Sequence, residues 1–245
     1  MDDFYDLIAD HYDDFQEDID PSSWAAKILA MASGNMLCDT DTDDMLLVDL
    51  GCGSGLITAQ LHGQSGFETI GIDRSEMMLS RAMETDCTIL WVLQDIRSFD
   101  IGRTAQIFVS TTDTVNHLTD PDDVRKLFAR IGESLEPGGV FIFDAGTKDH
   151  FEKTLGDNIF YRDEDDATLL WVNSWDGEVS TSEMTLFETE DGQTYERYDG
   201  TVKERFYDRD FFVECAAKAG LEPVHEEADG TERVFYVFRR KNENE

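Results

Sequence analysis

Apolar runs alternate with amphipathic stretches over the first part of the chain. The apolar runs predict five strands, at residues 45–48, 67–73, 88–93, 106–110 and 140–144. Between them, residues 56–62, residues 76–84 and a stretch that begins at Asp120-Pro121 are typical of helices. Strands that alternate with helices indicate an α/β fold, with a mostly parallel sheet covered by helices on both faces.

The pattern changes after the fifth strand. Residues 169–175, 179–188 and 194–206 are aromatic and alternating, and Asp-Gly pairs that favour tight turns separate them. They predict an antiparallel β insertion. A helix at residues 209–219 and a final hairpin, with strands at residues 221–227 and 232–240, follow it. The predicted division is a core of residues 1–150 and 207–245, with an insertion of residues 151–206.

A glycine-rich turn follows the first predicted strand, in the segment 48–55, which reads Val-Asp-Leu-Gly-Cys-Gly-Ser-Gly. Glycine allows the backbone to turn sharply and to approach a ligand closely. A strand, a glycine loop and a helix start together present backbone N–H groups to a ligand. The dinucleotide fingerprint G-x-G-x-x-G does not fit, because its third glycine would fall at Leu56 and here it lies at Gly55.

Two acidic positions extend this ligand-binding interpretation. Asp73 ends the second predicted strand about 20 residues beyond the glycine loop, where a carboxylate binds the ribose hydroxyls of a nucleoside. The glycine segment resembles the first motif of class I S-adenosylmethionine (SAM)-dependent methyltransferases. In that family an Asp with an apolar neighbour after the third strand contacts adenine, and Asp95 with Ile96 matches it.

The resemblance covers nearly the whole chain. It includes Leu135-x-Pro-Gly-Gly-Val140, the segment 113–118 with Asn116 and His117, and an N-terminal phrase with Tyr5, Tyr12 and Trp24 that looks like a lid within residues 1–30. It implies a Rossmann-like fold with a seven-stranded sheet and an antiparallel last strand. The β insertion points to a small-molecule subgroup, similar to sugar-amine N,N-dimethyltransferases. One departure is Ala105-Gln106, where the family commonly has Phe-Asp.

The expected site residues follow from these motifs. The predicted cofactor is SAM, and its expected contacts are Tyr12, Trp24, Asp49, Gly51, Cys52, Gly53, Gly55, Asp73, Arg74, Met78, Gln94, Asp95, Ile96 and Thr111. Methyl transfer from a sulfonium needs alignment, exclusion of water and a base for the acceptor's proton. His117 is the first candidate base and Asp113 the second, although His117 could instead serve only a local hydrogen bond.

Composition narrows the function classes. The net charge is −34 with only 20 basic residues, which argues against binding a nucleic-acid backbone. We expect no membrane association, since the chain shows neither a spanning apolar run nor a signal peptide. Four scattered cysteines favour a reduced, cytoplasmic protein without a zinc site. The predicted partner is a small-molecule substrate, and the chain is expected to be a monomer or homodimer.

Three alternatives stay open at this point. A non-catalytic SAM-binding or sensing protein would keep the cofactor site without transferring a methyl group. A nicotinamide-dependent oxidoreductase is disfavoured by the position of the third glycine. A metal-dependent O-methyltransferase would need converging carboxylates such as Asp113 and Asp144, and we expect no metal.

Overall fold

The computed structural model describes residues 4–16, 19–38, 41, 44–189 and 191–242 of the 245-residue chain. Most of the acidic stretch 39–44, expected to be a loop, lies outside these residues. The described chain forms six helices, two sheets and a few short helical turns. The helices are α1 (Phe4–Ile8), α2 (Pro21–Asn35), α3 (Leu56–Ser65), α4 (Glu76–Thr85), α5 (Pro121–Ser134) and α6 (Arg209–Lys218).

The larger sheet has seven strands. They are β1 (Leu46–Leu50), β2 (Glu68–Asp73), β3 (Leu90–Leu93), β4 (Ala105–Ser110), β5 (Leu135–Gly146), β10 (Leu221–Asp229) and β11 (Arg233–Arg240). The smaller sheet has four antiparallel strands between β5 and α6. They are β6 (Ile159–Asp163), β7 (Ala167–Trp175), β8 (Val179–Glu188) and β9 (Glu196–Arg205).

The seven-stranded sheet has the order β10-β11-β5-β4-β1-β2-β3. The pairs among β1 to β5 are parallel, whereas β11 runs antiparallel to both of its neighbours, β5 and β10. The predicted α/β fold with an antiparallel insertion after the fifth strand is therefore confirmed. Because the sheet order reverses between β1 and β4, the carboxyl ends of these strands diverge and leave a crevice for a ligand.

Hydrophobic side chains cover both faces of this sheet. β1 and β4 are buried along their whole length, as expected for central parallel strands. On one face Phe128 of α5 packs against Phe141 and Phe143 of β5, with ring centroids 5.5 and 5.8 Å apart. On the other face α2 and α3 cover the sheet. The central strands are therefore held rigidly behind the crevice.

Two elements differ from the sequence prediction. The fifth strand was expected at residues 140–144, but β5 begins at Leu135 and runs through Pro137-Gly138-Gly139. The strand accommodates this segment through a positive φ of 80° at Gly138 and a register shift against β4. β6 was not predicted, because three of its five residues are exposed and it is held by pairing with β7, where Phe160 stacks on Trp171.

Helix α1 packs on the smaller sheet. Phe4 and Ile8 form a hydrophobic cluster with Ala167 and Leu169 of β7. Gly200 of β9 lies so close to Phe4 that an added Cβ would be 2.1 Å from Phe4 Cδ2. The N-terminal segment and the insertion therefore form one layer over the carboxyl edge of the larger sheet.

We expect Gly200→Ala to weaken the docking of α1 by about 1–3 kcal/mol, the usual cost of overpacking. Hydrogen exchange of residues 4–8 should become faster. Gly34→Ala is the matched control, because a Cβ on Gly34 would meet no atom within 4 Å. Exchange rates in Gly200→Ala that equal those of Gly34→Ala would contradict the close packing.

Candidate active site

A large cleft lies at the carboxyl edge of β1, β2, β3 and β4. Its empty space is about 1350 Å³, part of it open to solvent. The core side of the cleft is formed by Gly51, Cys52, Gly53, Ser54, Leu56, Ile57, Asp73, Arg74, Ser75, Met78, Asp95, Ile96, Arg97, Thr111, Thr112, Thr114, His117 and Leu118.

The glycine loop forms the floor of the cleft. The backbone N–H groups of Gly51 and Cys52 donate to Ile72 O at 2.7 and 3.1 Å, which ties the loop to β2. Gly51 has a φ of 78°, and a Cβ there would lie 2.4 Å from Thr114 Cγ2. No larger residue fits this position, because the loops after β1 and β4 meet there.

Asp73 organises the loop from the end of β2. Its carboxylate accepts hydrogen bonds from the N–H groups of Gly53 and Ser75, both at 2.9 Å. Burial raises the pKa of Asp73 above its ordinary value, although these N–H groups act in the opposite direction. A buried carboxylate beside the glycine loop is suited to accept hydrogen bonds from vicinal hydroxyl groups.

The segment after β3 forms another side of the cleft. Arg97 Nε donates to Asp95 at 2.8 Å and Arg97 Nη1 donates to Asp123 at 2.7 Å. The Arg97 guanidinium holds the pKa of Asp95 below its ordinary value. Asp95 is therefore a fixed hydrogen-bond acceptor next to Ile96, and sequence reasoning did not identify Arg97, which orients it.

The N-terminal segment closes the outer side of the cleft with Tyr5, Tyr12, Asp13, Gln16, Ile19 and Pro21. Ser54 Oγ donates to Asp13 at 2.5 Å, and Ser75 Oγ donates to Asp6 at 2.5 Å. Burial and neighbouring carboxylates raise the pKa of the Tyr12 hydroxyl well above its ordinary value. Tyr12 therefore stays neutral and can act as a hydrogen-bond donor inside the cleft.

The loop after β4 carries the two candidate bases in different environments. His117 lines the cleft, and its Nε2 lies 3.1 Å from Tyr5 Oη and 3.8 Å from Glu204 Oε1. Asp113 instead accepts a hydrogen bond from Arg233 Nη2 at 2.7 Å and is not among the residues that line the cleft. The structure therefore presents His117 to a ligand and engages Asp113 in an ion pair.

Comparisons with known proteins agree with this geometry. Residues 47–139 match the family model of a methyltransferase domain. A putative methyltransferase of Bacillus subtilis, YqeM, is 29% identical over 208 residues, 79% of this chain and 83% of the relative. A SAM-dependent methyltransferase from Clostridium acetobutylicum superposes with a TM-score of 0.83 at 26% identity, over 98% of this chain and 100% of that chain.

This chain is a SAM-dependent methyltransferase. A more distant relative is a dTDP-3-amino-3,4,6-trideoxy-alpha-D-glucopyranose N,N-dimethyltransferase of Streptomyces venezuelae. It is 31% identical over 98 residues, which are 40% of this chain and 41% of the relative. That alignment spans less than half of either protein.

The residues of the methyltransferase cleft fit SAM. A Cβ on Gly53 would meet no atom closer than Tyr12, at 4.0 Å, so the loop leaves open space above its backbone. Asp73, expected to bind the ribose, and Asp95 with Ile96, expected to contact the adenine, all line the cleft. When bound, SAM supplies a methyl group that is already activated as a sulfonium.

Eleven of the predicted site residues line the methyltransferase cleft: Tyr12, Gly51, Cys52, Gly53, Asp73, Arg74, Met78, Asp95, Ile96, Thr111 and His117. Five do not: Trp24, Asp49, Gly55, Gln94 and Asp113. Residues that sequence reasoning did not assign to the cleft include Ser54, Arg97, Thr112 and Thr114. Of these, Ser54 alone had a direct signal, because it lies inside the glycine motif.

Tertiary contacts explain why Trp24 and Gln94, both expected to contact the cofactor, lie outside the lining of the cleft. Trp24 lies on the side of α2 that faces the sheet, where its ring packs edge-on against Phe235 at 5.2 Å and lies under Arg233. The Gln94 amide hydrogen-bonds the backbone of Asp100 and so holds its own loop together.

Gly55 and Asp49 support the glycine loop from outside the cleft. Gly55 begins α3 with a φ of 81°, and a Cβ there would lie 2.6 Å from the Trp91 ring. Asp49 is fully buried and accepts a hydrogen bond from Thr58 Oγ1 at 2.6 Å. Burial raises the pKa of Asp49 to about 7, with a further contribution from Asp73.

Asp144 is fully buried under Arg233 and does not line the cleft. Among the described residues, no group of three or more His, Cys, Asp or Glu side chains could hold a metal ion. In the same part of the chain, no helix is long and apolar enough to cross a membrane.

We expect Asp73→Asn to weaken SAM binding about 10- to 100-fold, because hydrogen bonds to a charged group contribute about 1.5–3 kcal/mol. Calorimetric titration with SAM measures the loss. Glu76→Gln is the matched control, since it removes a negative charge from an exposed position in the first turn of α4, the helix that follows β2. Equal affinities of the two variants would contradict the role of Asp73.

Asp49 should make the stability of the ligand-free protein depend on pH. Its folded-state pKa of about 7 lies above the unfolded value of 3.8. The contribution of Asp49 to the free energy of unfolding is therefore greatest at acidic pH and is lost as the pH rises towards 7. We expect the advantage of Asp49→Asn over the natural protein to grow by at least about 1 kcal/mol between pH 5 and pH 8. Urea unfolding measures it, with exposed Asp100→Asn as the control. If the difference in unfolding free energy between Asp49→Asn and the natural protein did not change with pH, the burial of an ionisable Asp49 carboxyl group would be contradicted.

Proposed function

We propose that this methyltransferase transfers the methyl group of SAM to a nitrogen atom of a small molecule, by direct in-line displacement. We further propose that His117 is the base that accepts the proton of the acceptor. The single observation that carries this proposal is the position of His117. It lines the same cleft as the glycine loop, and it does so beside Tyr5 of the N-terminal segment.

N-methylation requires the protein to deprotonate the amine, align the reactants and exclude water. An ammonium group has no lone pair, so a protonated amine must lose a proton before it can attack a methyl group. His117 can accept that proton, and an imidazole titrates in the range where such exchange is efficient. The N-terminal segment and the glycine loop align the reactants and exclude water, which supplies much of the acceleration.

Local charge supports nitrogen over oxygen as the acceptor atom. Glu204 Oε1 lies 3.8 Å from His117 Nε2, and an ionised carboxylate at this position favours a cationic acceptor over a neutral hydroxyl group. The sugar N,N-dimethyltransferase among the relatives is consistent with an amine acceptor.

The insertion at residues 151–206 is proposed to cap the acceptor side of the cleft. Its strand β9 reaches the loop that carries His117, where Asn116 Nδ2 donates to Arg205 O at 2.7 Å. Trp171 and Trp175 of the insertion do not line the cleft but stack on Phe160 and Phe151, respectively. Their contribution to specificity would therefore be indirect, through the shape of the cap.

We expect His117→Gln to lower kcat about 10²- to 10⁴-fold while SAM affinity stays within about twofold, because general-base catalysis contributes on this scale. The assay screens small amines, amino sugars and matched alcohols for release of S-adenosylhomocysteine, and mass spectrometry and NMR of the product identify the methylated atom. His225→Gln, at a half-exposed position on β10, is the control. Full activity of His117→Gln, or methylation on oxygen, would contradict the proposal.

A further inference from the structure

Glu204 meets His117 across the boundary between the core and the insertion. Glu204 lies near the end of β9, and His117 ends the helical turn Thr114–His117 after β4. Their closest side-chain atoms, Oε1 and Nε2, are 3.8 Å apart, and the side chains are only 18% and 25% exposed. Nothing in the local sequence of either segment points to the other.

Hydrogen bonds between the loop after β4 and strand β9 hold His117 and Glu204 close together. Asn116, fully buried, donates from Nδ2 to Arg205 O at 2.7 Å and accepts from Gly146 N at 3.1 Å. Arg205 Nη1 donates to Thr119 O at 3.4 Å. Residues 116 and 205 are therefore joined directly beside residues 117 and 204, so the pairing of His117 with Glu204 follows from the packing of the two segments.

The charges around Glu204 leave His117 as its partner. Arg233 lies near Glu204, but its guanidinium is engaged by Asp113 and Asp144. Within the described ranges, no Lys or Arg lies within 4.0 Å of the Glu204 carboxylate, and His117 is its ion-pair partner. Burial and the nearby Asp113 raise the pKa of Glu204 to about 8, with Arg233 acting in the opposite direction. A positive charge on His117 favours the ionised form of Glu204, so the carboxylate is ionised when the imidazole is protonated.

We propose that Glu204 is a positioning residue that stabilises the protonated form of His117 while the acceptor is being methylated. The inference rests on the proposed role of His117 as base. As the acceptor N–H bond breaks, its electron pair stays on nitrogen and the proton moves to the His117 imidazole. The nitrogen then bonds to the methyl carbon, and the carbon–sulfur bond breaks with its electron pair on sulfur.

The imidazolium that results lies between two groups from different elements. The protonated Nε2 can donate to Tyr5 Oη of α1, and the Glu204 carboxylate of β9 offsets the positive charge. The other titratable or charged groups near this pair are Tyr12 of the N-terminal segment, Asp113 of the loop after β4 and Arg233 of β11. Asp113 and Arg233 neutralise each other in their own ion pair.

The test is an NMR titration of the His117 imidazole in the full chain with S-adenosylhomocysteine bound, with the signal assigned by its absence in His117→Gln. An opposite charge within about 4–6 Å raises the pKa of a histidine by roughly one pH unit or more. We therefore expect Glu204→Gln to lower the His117 midpoint by about one pH unit. Glu183→Gln, which removes an exposed carboxylate from the adjacent strand β8, should leave it unchanged. A midpoint in Glu204→Gln equal to that in Glu183→Gln would overturn the proposal.

A second measurement needs no variant of Glu204. In the natural protein, the side-chain carboxyl ¹³C signal of Glu204 should change over the same pH range as the His117 signal, since interacting groups titrate as a pair. Independent midpoints would overturn the proposal. Neither measurement needs a methyl acceptor, so its failure is distinct from failure of the proposed N-methylation, which the turnover of His117→Gln reports.

Discussion

The buried ion pairs of Arg233 with Asp144 and Asp113 hold the catalytic edge of this methyltransferase together. Asp144, fully buried near the end of β5, also accepts hydrogen bonds from the N–H groups of Thr112 and Asp113, at 2.8 and 3.1 Å. Thr112 and Asp113 have φ values of 56° and 60°, a left-handed backbone that is costly for residues other than glycine. The buried carboxylate and its arginine compensate for that cost, and they determine where the loop after β4 places His117.

The loop after β4 also contacts the β insertion. Asn116 joins the loop to Arg205 at the end of β9, and α1 packs on the same strand through Phe4 and Gly200. The N-terminal segment is attached in turn to the cofactor side of the cleft by Asp13 with Ser54 and Asp6 with Ser75. A ligand in the cleft is therefore enclosed by segments that are far apart in the chain but coupled through direct contacts.

Several parts of the site were predictable because their chemistry is local. The glycine positions follow from backbone geometry, and Asp73 follows from its place at a strand end beside that loop. Other predictions needed contacts that a motif does not contain. Trp24 belongs to the N-terminal phrase that resembles a lid, but its side chain faces the sheet. Gly55 allows close packing against Trp91. Asp113 forms an ion pair with Arg233, which lies near the far end of the chain.

By itself, the sequence determined the alternation of strands and helices, the position of the insertion, the glycine loop and the identity of its acidic partner. These features depend on periodicity, turn chemistry and short-range spacing, which the order of residues encodes directly. Only the tertiary structure decided which polar groups face the cleft and which neutralise one another. The meeting of His117 with Glu204 and Tyr5 depends on three segments that pack together, and long-range packing is set by the whole core rather than by any local pattern.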